Sequence, residues 1–107
     1  MSDKKYDLVI KNVKVVKPLS DNVEEQDIAI KDGKFADIEK NIDPEQSNDS
    51  YDGKGQLAFP GLVDAHMHTG IYNPLDKDAV IESRAAAMGG VTSSLNYMRT
   101  GGNYLNK

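Results

Sequence analysis

Pro60-Gly61-Leu62-Val63-Asp64-Ala65-His66-Met67-His68 is the stretch on which the reading of this chain turns. Pro-Gly is a turn signal, and Leu62, Val63 and Ala65 form a short apolar run behind it, so Gly61 to His68 is expected to be a strand. Side chains alternate along a strand, which puts Asp64, His66 and His68 on one face and Val63, Ala65 and Met67 on the other. At a rise of about 3.3 Å per residue the two histidine Cα atoms lie roughly 6 to 7 Å apart, so both rings can reach one metal ion at about 2.1 Å. These are the only two histidines in the 107-residue chain. By spacing alone, a solvated edge pair or two hydrogen-bonded polar groups at a sheet end fits equally well. The setting adds weight to the metal reading: an apolar strand delivers both rings, a carboxylate shares their face, and Thr69, Gly70 and a loop follow.

Upstream of this stretch the chain reads as β throughout. Asp7 to Val16 is rich in β-branched residues and alternates around Val9, Lys11, Val13 and Val15, giving one or two strands broken near Asn12 and ending at Pro18. Leu19 to Gln26 is polar and turn-like. Asp27 to Lys31 then alternates with Ile28 and Ile30 on one face, and Asp32-Gly33 supplies a tight hairpin turn. The returning strand is Lys34 to Glu39, with Phe35 facing opposite to Ala36 and Ile38. Asn41 to Ser50 reads as a polar surface loop. Tyr51-Asp52 and Gln56 to Phe59 flank Gly53-Lys54-Gly55 as a second short hairpin or sharp bend. Asp7 to Phe59 is therefore expected to be an all-β unit of about five strands with a scaffold role.

Downstream, Thr69 to Leu75 reads as a loop in which Tyr72 and Asn73 are candidates to line a substrate pocket, a loop aromatic packed on a neighbour being the plain alternative. A helix follows, capped by Asp76 or Asp78, with Ile81, Ala85 and Met88 at helical spacing and Gly89-Gly90 as its stop. The stripe is expected to pack on the strand layer, and Arg84 to be a surface group. Val91 to Tyr97 reads as a second strand, so that strand, helix and strand make a βαβ crossover with a parallel pair. Met98 to Lys107 reads as a loop.

Composition narrows the function classes. A formal net charge of −4, with Lys and Arg scattered, gives no nucleic-acid footprint. The chain has no cysteine, which removes disulfide frameworks and thiolate metal sites. No apolar run approaches the roughly 18 residues of a membrane span, and a cytoplasmic protein without a membrane partner is the expectation.

The run from Pro60 to His68 resembles the first barrel strand of the amidohydrolase superfamily, metal-dependent hydrolases built on a (β/α)8 barrel. Ala85-Ala86-Ala87-Met88-Gly89-Gly90-Val91-Thr92-Ser93 is similar to the helix and turn that lead into barrel strand two in the hydantoinase, dihydropyrimidinase and dihydroorotase branch. The resemblance implies an α/β protein: residues 1–59 as an N-terminal β-sandwich segment, residues 60–107 as the first βαβ of a TIM barrel left incomplete here. It implies that His66 and His68 are metal ligands, that the cofactor is a divalent metal, Zn2+ being the expected ion, with one or two per complete site, and that the complete protein is a homo-oligomer. The implied reaction is hydrolysis of a C–N bond in a small cyclic amide by metal-activated water. Catalytic residues are expected on later strands, so the fragment alone is expected to be inactive. Asp64 lies two residues toward the start of the strand, in a lower layer, and is assigned to packing or to supporting a ligand. Dihydroorotases usually carry an arginine where Gly70 stands, which disfavours that activity. Deamination or deacetylation within the same superfamily, or a non-catalytic β-rich binding or oligomerisation module, are the alternatives.

Overall fold

A computed structural model describes residues 3–97 and divides into two compact units, Met1–Pro60 and Gly61–Lys107. In the first unit, β1 (Tyr6–Val16), β2 (Val23–Lys31), β3 (Lys34–Glu39), β4 (Ser47–Asp52) and β5 (Leu57–Ala58) form one five-stranded sheet. The β-branched strand β1 is central. It runs antiparallel to β2 and parallel to both β4 and β5, while β3 closes the far side of β2.

Asn12 bends this strand. It sits at φ 55°, and the pairing steps from Ile10 opposite Ile28 to Val13 opposite Gln26, three residues of β1 against two of β2. An extra residue reverses the facing of everything beyond it. Val9 therefore packs with Tyr6, Ala29 and Ile42, whereas Val13 and Val15 pack with Ile28. The break expected near Asn12 is this bulge, which interrupts the alternation through Val9, Lys11, Val13 and Val15. A second bulge in β3 has the same effect. Phe35 pairs with Ile30 and Ile38 with Ile28 across an extra residue at Ala36, so Phe35 and Ile38 share a face instead of opposing one another.

One buried carboxylate holds the first bulge in place. Asp27 is 2% exposed. Its Oδ1 accepts the Asn12 N–H at 2.8 Å, and its Oδ2 accepts the Lys11 ammonium at 2.5 Å and the Ile42 N–H at 2.8 Å. Burial pushes this carboxyl upward, but the Lys11 ammonium and the two backbone donors outweigh it and hold Asp27 below the usual carboxylate value. The Lys11 ammonium also donates to the Ile42 carbonyl at 2.8 Å, drawing the 41–42 segment over the sheet.

Two further expectations change. β2 begins at Val23, inside the segment read as a turn, because Val23 to Gln26 continue the ladder opposite Val16 to Val13. Asn41 to Ser50 is not all loop: a single 3-10 turn at Pro44–Gln46 leads into β4, whose polar residues form an exposed edge beside β1. Of the two alternatives for Gly53-Lys54-Gly55, the structure has the sharp bend, a kink between two strands running the same way along β1. It fits against the Asn12 bulge, with the Gly53 N–H donating to Lys11 O at 2.8 Å and the Gly55 N–H to Asn12 O at 2.7 Å. A Cβ on Gly53 would lie 2.2 Å from Val13 Cγ1, so glycine is required at this close approach. The Asp32-Gly33 hairpin is as expected, with φ of 51° and 71°.

In the second unit, β6 (Leu62–Met67) and β7 (Val91–Asn96) pair in parallel through the crossover helix α1 (Leu75–Met88). Neither aspartate caps the helix. Pro74 occupies the N-cap, and Asp76 and Asp78 lie inside the first turn, where the helix dipole favours acidic groups. Asp78 ties down the preceding loop, accepting the Gly70 N–H at 2.8 Å and the Asn73 side-chain amide at 3.3 Å. Nor is the apolar stripe core: α1 buries no residue, and Ile81 and Met88 are exposed. A cleft of about 500 Å³ lies between α1 and β7, bordered by Met67, Thr69, Ala86, Ala87, Thr92 and Ser94. The expected loop at Met98 to Lys107 falls outside the described residues.

Candidate metal centre

Strand β6 ends at Met67, one residue short of the second histidine, and both histidines are exposed at this end. The pairing of β6 is irregular here, with three residues from Asp64 to Met67 running against two of β7, so the expected simple alternation of Asp64, His66 and His68 is interrupted. The two histidine Nε2 atoms meet at 3.0 Å. The ring centroids are 4.9 Å apart and the ring planes are inclined at 77°.

A backbone carbonyl sets the protonation of one ring. His68 Nδ1 lies 2.8 Å from Tyr97 O, and since a carbonyl only accepts, Nδ1 carries the proton. The Nε2 lone pair of a neutral His68 is therefore directed at His66. The Tyr97 ring also stacks on His66, with centroids 4.3 Å apart and planes inclined at 21°. Asp64 Oδ1 accepts the backbone N–H of His66 at 3.0 Å, so this carboxylate is engaged with the strand's own backbone.

This arrangement fits a divalent cation. With two metal–nitrogen bonds of about 2.1 Å, nitrogens 3.0 Å apart subtend an angle of about 90° at the ion, and opening them to about 3.4 Å gives a tetrahedral angle. Rotation of either ring supplies that difference. The donor type is also right, since neutral imidazole nitrogen suits Zn2+ and similar ions. Among the described residues no group of three or more His, Cys, Asp or Glu side chains is placed to hold a metal ion.

The other candidates are less engaged. Tyr72 is 89% exposed, and Asn73 is held by Asp78 through its amide. Arg84 is an exposed helix residue. Sequence reading missed Tyr97 as part of the site. Its signal was available in the strand register: Met67 pairs with Asn96, which brings the next residue of β7 beside the two histidines that flank Met67.

Proteins of known kind are similar to this chain. The L-hydantoinase of Paenarthrobacter aurescens is 33% identical over 95 residues, covering 82% of this chain and 19% of that protein. The chain belongs to the amidohydrolase superfamily. An allantoinase of Escherichia coli O1:K1 / APEC is 36% identical over 91 residues, 84% of this chain and 19% of its own length. The solved structure of the Arthrobacter aurescens L-hydantoinase (dihydropyrimidinase) superposes with a TM-score of 0.67 over 83% of this chain and 20% of its own. N-acyl-D-glutamate deacylase from Bordetella bronchiseptica, 22% identical with a TM-score of 0.66, shares the fold. No family model matches the chain. The chain thus spans about a fifth of the length of the curated relatives it matches. Among the described residues, no helix is long and apolar enough to cross a membrane.

Proposed function

We propose that this chain is the front part of a metal-dependent hydrolase of C–N bonds in small cyclic amides, with His66 and His68 as two of its metal ligands. The observation that carries this reading is the meeting of the two Nε2 atoms at 3.0 Å, with His68 held by a carbonyl in the tautomer that leaves Nε2 free. Kinship with proteins named L-hydantoinase and allantoinase supports the cyclic amide as substrate class. In this reading β6, α1 and β7 are the first βαβ of a (β/α)8 barrel, and residues 1–59 are part of a β-sandwich. The remaining ligands and the proton-transfer groups come from later strands.

Residues of the chain have distinct parts in the reaction. His66 and His68 hold one or two divalent ions, Zn2+ by the chemistry of the ligands. When bound, a divalent ion there would supply polarisation of the amide carbonyl and a more acidic water, the help that an unactivated amide needs near neutral pH. Asp64 keeps the His66 backbone in position. Tyr72 and Asn73, in the loop pinned by Asp78, border the substrate entrance at the C-terminal end of the strand, where such barrels carry their chemistry. The complete enzyme is cytoplasmic and homo-oligomeric, without nucleic-acid or membrane partners.

Replacement of both histidines by alanine in the full-length protein tests the assignment. Bound metal, counted by elemental analysis, and turnover on a panel of five- and six-membered cyclic amides should both be lost. A double variant that retains its metal and its turnover would refute the role of this pair.

A further inference from the structure

We infer that Tyr97 is the positioning residue of the metal centre, orienting both imidazoles from a single place on the neighbouring strand. This rests on the reading of His66 and His68 as ligands, and it assigns a function to a residue that carries no ligand atom. The Tyr97 N–H donates to Met67 O at 2.9 Å, which locks it beside the residue between the two histidines. From there it acts in two directions. Its carbonyl accepts the Nδ1 proton of His68 at 2.8 Å, and its ring lies flat against His66 at a centroid separation of 4.3 Å. The third geometry is the consequence: the two Nε2 atoms converge at 3.0 Å.

The two contacts differ in kind, and that makes them separable. The hydrogen bond to His68 comes from the main chain, so any side chain at position 97 can make it. The stack on His66 requires a flat ring. Tyr97 is half-exposed and its phenol hydroxyl is not needed for the stack, so phenylalanine should substitute fully. Leucine keeps an apolar side chain but offers no aromatic face. Without the stack the His66 ring is free to rotate away from its partner, and the orientation of one ligand must then be fixed at the moment of binding.

The test compares Tyr97→Phe and Tyr97→Leu with the parent in the full-length protein. Zn2+ affinity is measured by competition with a chromophoric chelator, and ring 15N shifts report the histidine tautomers of the metal-free protein. Tyr97→Phe should keep affinity within about twofold of the parent. Tyr97→Leu should weaken it about 10-fold or more, the lower end of what loss of a group supporting a ligand costs, while His68 keeps its Nδ1 proton in both variants. Equal affinity for Leu and Phe would overturn the positioning role and leave the ligand assignment standing. Zn2+ affinity that also survives His66→Ala would overturn both.

Discussion

Asp27→Ala is the substitution from which the first unit has most to lose. The carboxylate is 2% exposed and satisfies three donors: the Lys11 ammonium and the N–H groups of Asn12 and Ile42. Alanine leaves two main-chain donors without their acceptor, at about 1–3 kcal/mol each. Lys11 keeps the Ile42 carbonyl at 2.8 Å and the Asn41 side chain at 3.0 Å, so its own loss is partial. The total expected is about 3–5 kcal/mol, the range for breaking one side of a buried pair. Protection of the Val9, Ile28 and Ala29 amides against hydrogen exchange should then fall by about 10²- to 10⁴-fold, at about 1.4 kcal/mol per decade. A fall smaller than tenfold would refute the assignment of Asp27 as the group that holds the bulge. The pH dependence follows the same logic. The folded-state pKa is depressed, so the contribution is fully present above the unfolded carboxylate value of about 3.9 and is lost as pH falls through the lower folded value. Protection factors at these amides should decline on acidification below about pH 4, and in Asp27→Ala that dependence should be much reduced.

Gly53→Ala sets a Cβ 2.2 Å from Val13 Cγ1 and 3.0 Å from Lys11 O, and overpacking of this kind should cost about 1–3 kcal/mol, read as a lowered thermal midpoint. Asp78→Ala releases the Gly70 N–H and the Asn73 amide, so exchange at Gly70 should quicken by about fivefold for a lost bond of about 1 kcal/mol, and unchanged exchange would deny Asp78 its hold on the loop. Removal of metal from the full-length protein by a chelator should shift the ring resonances of His66, His68 and Tyr97 together. A chelator that empties the protein and leaves those three unmoved would argue against the centre.

The elements that repeat a simple period were readable from the residues, and those that break it were not. β1, the Asp32-Gly33 hairpin, β3, α1 and β7 each follow from β-branched alternation, a turn dipeptide or helical spacing. The facing of Val13 and Val15, and of Ile38 relative to Phe35, could not be read this way. A bulge adds one residue to one strand, and nothing in a single strand's sequence states how its partner counts. Asn12 is a residue type that tolerates positive φ, but the reason it does so here is Asp27, fifteen residues away. β4 was hidden for another cause. Its residues Ser-Asn-Asp-Ser-Tyr-Asp carry no hydrophobic period, and it is a strand because β1 offers it an unfilled edge. In the second unit the histidine pair was legible because the two rings stand two residues apart at one strand end. Tyr97 reaches the site across a strand pair, and only the register reveals it.

What β6 and β7 lack bears on the proposed site as much as what they hold. A parallel pair is ordinarily covered on both faces and flanked by further strands, and two strands alone are marginal in water. Here Leu62, Val63 and Leu95 are 58%, 67% and 59% exposed, and the crossover helix buries nothing. Burying those three side chains would contribute on the order of 1.5–3 kcal/mol each. Among the described residues the proposed ligand set shows the same deficit, with two nitrogens where a catalytic zinc ordinarily takes three protein ligands and a water. Neighbouring strands of a larger barrel would answer both needs at once, covering the apolar faces and bringing further ligands to the strand ends. A metal-only explanation leaves the apolar faces unaccounted for, and a simple docking face leaves unaccounted for two histidine nitrogens held 3.0 Å apart. The proposed hydrolase accounts for both.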